Sequence, residues 1–193
     1  NILKNRISDS DNGVGLIGIG AANGRFTGLV QGNELEDIAG IEVLATMSSL
    51  SDVSLAVEGN TFRDAVSIVP VNSLGITNNV ALHITGNLFQ GAGIVAAVIG
   101  PVGNDLEVDL SDNQFLATPA GSLLQFIQVG AVGRDLRLAV DGNYMENGLA
   151  LLSLAPVGRN SEVSFSGNTF LNAPGGALTL ISSTVGGNAI LRL

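Results

Sequence analysis

Seven asparagines, Asn5, Asn33, Asn60, Asn87, Asn113, Asn143 and Asn168, recur at intervals of 25 to 30 residues along a chain of 193. So constant an interval restricts the fold severely, because only an architecture built from one repeated unit keeps a landmark in step over that length. The neighbours of each Asn identify the unit. Ahead of four of the middle Asn, apolar residues stand seven, five and three positions back: Val53, Leu55, Val57; Val80, Leu82, Ile84; Leu106, Val108, Leu110; Leu136, Leu138, Val140. Two positions beyond each Asn comes another large apolar residue: Ile7, Leu35, Phe62, Phe89, Phe115, Met145 and Phe170. Alternation of period two describes a strand with one buried face, and an apolar residue just past an Asn turn describes a strand that bends and resumes.

One unit, Asn79 to Asn104, shows the whole coil. Val80 to Thr85 alternates as a half-buried strand, Gly86-Asn87 turns, Leu88-Phe89 forms a short second strand, and Gly91 and Gly93 mark a second bend. Ile94 to Ile99 is a third strand, closed by Gly100-Pro101-Val102-Gly103-Asn104. That closing loop returns as Pro101-Val-Gly-Asn-Asp105, Ala131-Val-Gly-Arg-Asp135, Pro156-Val-Gly-Arg-Asn160 and Thr184-Val-Gly-Gly-Asn188, which supports the same register independently. Three strands per coil predict three parallel sheets. At the bend, the Asn amide tolerates a left-handed backbone and can bond the equivalent amide one coil away, about 4.8 Å along the axis. Asn33, Asn60, Asn87, Asn113, Asn143 and Asn168 therefore read as a structural ladder. Phe62, Phe89, Phe115 and Phe170, with Met145, read as a stacked core column.

Composition narrows the functional classes. A chain with 46% hydrophobic residues can bury a core in one domain, taken here as 1–193. Seventeen acidic against eight basic residues, with Lys4 the single lysine, argue against nucleic acid or an anionic membrane surface as partner. Cysteine is absent, which removes disulfides, thiolate chemistry and Cys-based metal sites from the account. Gly or polar residues interrupt every apolar run before it reaches the roughly 18 residues that a membrane helix requires. The chain opens at Asn1, and its last strand, Ala189 to Leu193, is of the kind that precedes an Asn. The expectation is a segment within a longer solenoid, or coils that stack between subunits.

The alternating apolars, the Gly-Asn turn and the x-Phe that follows resemble the right-handed parallel β-helix repeat family. This is the pectate-lyase-like fold shared by polysaccharide lyases, phage tailspikes and bacterial surface proteins. The resemblance covers essentially the whole chain and implies a right-handed parallel β-helix of about seven rungs. Phe165-Ser-Gly-Asn168, followed by Gly175-Gly176-Ala177-Leu178, also resembles the FxxN and GGAI signatures of chlamydial-type autotransporter passengers. A lyase or glycoside hydrolase of this family would need clustered Asp or Glu holding calcium beside a basic residue, or paired Asp for hydrolysis. The third strands of the coils offer only Glu42 as an acid and no base beside it. The transferred catalytic positions therefore have no counterparts here.

Register alone stacks the outward side chains. Four positions before each Asn the outward residues are Leu29, Ala56, His83, Asp109, Ala139 and Ser164; six before, they are Thr27, Ser54, Ala81, Glu107, Arg137 and Glu162. His83 should then face Asp109, with Arg137 between Glu107 and Glu162. One reading of His83, Glu107 and Asp109 is an acid/base or cation-holding group; the other is cross-strand charge pairing on a wet sheet. Asp9, Asp11 and Asn12 form an acidic turn that could take Ca²⁺; no other cofactor or metal is implied. The third strands carry a further anomaly, since Ile94 to Ile99 and Leu149 to Leu154 are apolar on nearly both faces. A face of that kind calls for a cover, and Val95, Ala97, Ile99, Leu149 and Leu151 are the candidate interface residues. The function expected from the sequence is a non-catalytic, extracellular or cell-surface β-helix. It would be structural or adhesive, and would bind itself or another extracellular protein. The competing expectation is a polysaccharide-active domain.

Overall fold

The computed structural model of the chain is an all-β parallel solenoid and describes residues 1–10, 14–19, 24–46, 50–64, 67–73, 75–91, 94–116, 122–173, 178–181 and 184–193. Three sheets run along it. The first has eight strands: Ile2–Leu3, Arg25–Gln31, Leu50–Glu58, Ile76–Thr85, Leu106–Ser111, Leu136–Asp141, Ser161–Ser166 and Ala189–Arg192. The second has seven short ones: Arg6–Ser10, Glu34–Ile38, Thr61–Arg63, Leu88–Gln90, Gln114–Leu116, Tyr144–Glu146 and Thr169–Leu171. The third also has seven: Val14–Ile19, Ile41–Thr46, Ser67–Ser73, Ile94–Ile99, Ser122–Val129, Gly148–Leu154 and Leu178–Ile181. Each strand pairs in parallel with strands one coil away, never with its neighbour in sequence. Among the described residues no helix is long and apolar enough to cross a membrane.

The core is the column predicted from the alternation. Along Leu106–Ser111 and Leu136–Asp141 burial alternates residue by residue, with Leu106, Val108, Leu110, Leu136, Leu138 and Val140 all enclosed. The second sheet stacks Leu35 on Phe62, Phe62 on Phe89, Phe89 on Phe115, Phe115 on Met145 and Met145 on Phe170. The Phe62 and Phe89 rings lie 5.1 Å apart and 9° from parallel, and Phe89 and Phe115 4.8 Å apart and 10° from parallel. Two rings on adjacent strands in identical register have this arrangement imposed on them by the strand spacing. Where the pattern lapses, size compensates. Gly28 stands at a position that is Leu in the next two coils, and a Cβ there would come within 2.7 Å of the Phe26 ring, which fills the space instead.

The asparagines form a hydrogen-bonded ladder of one polarity. The Oδ1 of each rung accepts both the backbone N–H and the Nδ2–H of the preceding Asn, from Asn5 onto Asn33 at 2.9 Å through to Asn143 onto Asn168 at 3.0 Å. A backbone carbonyl of the previous coil takes further Nδ2–H donation, as Val57 O does from Asn87 at 2.8 Å. These are polar groups in an apolar interior, and mutual satisfaction is what makes their burial tolerable. Asn33, Asn60, Asn87, Asn113 and Asn143 are buried, whereas Asn5 is exposed and Asn168 half-buried. The enclosed ladder thus spans about five turns against the seven rungs expected.

The expected left-handed backbone at the Asn itself is corrected. The positive φ belongs to the residue before it: Lys4, Gly32, Gly59, Gly86, Asp112, Gly142 and Gly167, at 53° to 66°. The Asn is thereby freed to aim its amide along the axis. A second left-handed corner falls four residues after the Asn, at Asp9, Asp37, Asp64, Gly91, Asn147 and Asn172; the bend expected at Gly91 is one of these, and its recurrence at Asp and Asn in the other coils is what the sequence did not mark.

The recurring Val-Gly loop makes a fourth stack. Ile76, Val102, Val132, Val157 and Val185 form parallel bridges from coil to coil. Beside them Gly103, Gly133, Gly158 and Gly186 pass so close to the previous coil that a Cβ on Gly133 would sit 1.9 Å from the Gly103 carbonyl oxygen. The obstacle is backbone and cannot rotate away. Gly133→Ala is therefore expected to lower stability by about 1–3 kcal/mol or more. Gly59→Ala, at φ 58° with open space around it, meets only the left-handed penalty of roughly 1 kcal/mol. Equal shifts in urea midpoint for the two variants would refute the close-approach account.

Candidate functional site: the outward face of the first sheet

The columns read from the sequence are the columns of the structure. His83 pairs with Asp109, Glu107 with Arg137 and Arg137 with Glu162 in strand register. The side chains refine this. His83 Nδ1 lies 3.8 Å from Asp109 Oδ2, with the two side chains 39% and 37% exposed, too far apart for a hydrogen bond and an ion pair only when the imidazole is protonated. Arg137 turns toward Glu107, at 3.7 Å, while Glu162 is engaged by Arg192 at 3.0 Å. Sequence predicted Arg137 between two acids; the structure gives each acid its own arginine. Exposed pairs of this kind contribute about 0.2–1 kcal/mol each. Glu107 stands beside Ala81 in register rather than beside His83, so the three candidate residues do not converge on one point.

A second ladder borders this face. Asp52, Asn79, Asp105, Asp135, Asn160 and Asn188 form it: Asp52 and Asn79 lie within strands of the first sheet, the other four end a Val-Gly loop just before such a strand, and their bonds run from coil to coil. Asn79 Nδ2 donates to Asp52 Oδ1 at 2.9 Å, and the backbone N–H groups of Asp135 and Asn188 donate to Asp105 Oδ1 and Asn160 Oδ1 at 3.2 Å. The polarity is opposite to that of the Asn ladder, since here the later coil donates to the earlier. For four of its six members the signal was present in the sequence, in the Asp or Asn that ends each copy of the closing loop.

Asp135 is the best-partnered member. Its carboxylate accepts from Arg159 Nη2, from Arg159 Nε at 2.7 Å, and from Asn160 N at 3.2 Å and Nδ2 at 3.0 Å. These bonds, Arg159 foremost, hold its carboxyl well below the usual carboxylate range. A depressed folded value stabilises the fold above the ordinary carboxylate pKa, and that contribution disappears as pH falls through the folded value. Asp135→Asn should therefore flatten the loss of melting temperature between pH 5 and pH 2. An acid limb identical to that of the parent chain would contradict this.

Between the corner ladder and the outward row lies an open groove of about 560 Å³, with Arg25, Asp52, Ser54, Ala81, Asp105, Glu107, Asp135 and Arg137 among its lining residues. Its carboxylates are each matched: Asp52 by Arg25 at 3.6 Å, Asp105 by Arg134 at 3.6 Å, Glu107 by Arg137 and Asp135 by Arg159. On the second sheet, Tyr144 donates to Glu146 at 3.2 Å; burial and that carboxylate push its phenol up from its ordinary value.

The remaining sequence candidates fall as follows. Ile99, assigned to an outward interface, is corrected to the core, since it is 1% exposed. The side chains of Val95, Ala97, Leu149 and Leu151 lie outside the described part, and so do Asp11 and Asn12 of the acidic turn and Gly175, Gly176 and Ala177 of the GGAI-like stretch. Asp9 sits at the second left-handed corner and accepts from Ser8 Oγ at 3.0 Å. Among the described residues no three His, Cys, Asp or Glu side chains are grouped as a metal ion would need. Comparison with protein-family models, curated proteins and solved structures finds no match to this chain.

Proposed function

We propose that this chain is a non-catalytic, extracellular structural or adhesive β-solenoid, acting through the surface it displays to another copy of itself or to an extracellular protein. The observation that carries this reading is the pairing pattern of the first sheet. Its outward acids answer arginines, an amide or an imidazole on neighbouring coils, an arrangement that serves to hold coils in register. A right-handed coil of the pectate-lyase-like type belongs to the same proposal. Its support is the three-sheet coil with an Asn ladder at one corner. The groove beside Glu107 favours the second reading, a polysaccharide-active domain, because carboxylates line it.

Two measurements separate the readings. Light scattering over a concentration series should show association of the scaffold with itself, and a concentration-independent monomer would remove that form of the proposal. Incubation with acidic polysaccharides should release no unsaturated or reducing ends. Release that disappears in Glu107→Gln and Asp109→Asn would establish the enzymatic reading instead.

A further inference from the structure

We draw no further inference here: the strongest candidate, the open groove between the Asp52–Asn79–Asp105–Asp135 corner and the outward row of the first sheet, belongs to the site already described, and its carboxylates are already matched by Arg25, Arg134, Arg137 and Arg159 with no second feature pointing to a ligand.

Discussion

Replacing Asn87 by alanine is expected to remove about 3–5 kcal/mol of stability. Asn87 is 1% exposed, and its Oδ1 accepts from Asn60 N at 2.9 Å and Asn60 Nδ2 at 3.0 Å, while its Nδ2 serves Val57 O at 2.8 Å. Truncation leaves donors and a carbonyl unpaired in an apolar interior, and each such group costs about 1–3 kcal/mol. Asn87→Asp provides the diagnostic variant. An ionised carboxylate cannot donate to Val57 O, whereas its neutral acid can, so burial raises the folded pKa of the new carboxyl above the unfolded one. The variant should therefore be least stable near neutral pH and recover part of the deficit as pH falls toward 4. Chemical denaturation at several pH values reads both effects. Asn5→Ala, at the exposed first rung, is the control and should cost well under half as much. If the exposed and buried positions proved equally sensitive, the buried ladder would not be the source of the stability.

Phe89→Ala should cost about 3–5 kcal/mol, the range for emptying a buried aromatic site. The ring is 1% exposed and stacks on both sides, at 5.1 Å from Phe62 and 4.8 Å from Phe115. Collapse of the cavity is hindered because the flanking rings are tied to their own strands at the coil spacing. Coupling to Phe62, measured in a double-mutant cycle, should be about 0.5–1.5 kcal/mol beyond the separate losses. Strict additivity would mean that the rings merely fill volume. Phe170, half-buried at the far end of the same column, should tolerate alanine much better.

The legible part of this fold was whatever repeats with a short-range signal. Alternating apolars before the Asn specify which face of the first sheet is buried. A constant interval then specifies which residues share a column, so the His83–Asp109 and Glu107–Arg137 pairings follow from the sequence. The corner conformations were harder. The left-handed residue before the Asn is Gly in five coils but Lys4 and Asp112 in the other two, and the second corner alternates among Asp, Gly and Asn. Several residue types satisfy that geometry, and composition alone does not mark it. The corner ladder from Asp52 to Asn188 escaped for a similar reason: a mixed column of Asp and Asn carries no single repeated letter. Ile99 was misassigned because both faces of its strand are apolar, which leaves period-two reasoning without a contrast.

By itself the sequence determined the architecture: parallel coils, three strands to each, an Asn column at one bend and an apolar column inside. These follow because a repeat of nearly fixed length sets equivalent residues one strand spacing apart, where like side chains can satisfy one another. Only the tertiary structure decided the directions and the choices among partners. It gave the two polar ladders opposite polarity, and it turned Arg137 to Glu107 and Arg192 to Glu162. It required glycine at the Val-Gly stack because backbone from the previous coil occupies the Cβ position. Those outcomes depend on rotamers and on distances of a few ångströms between coils, quantities that the interval of a repeat does not contain.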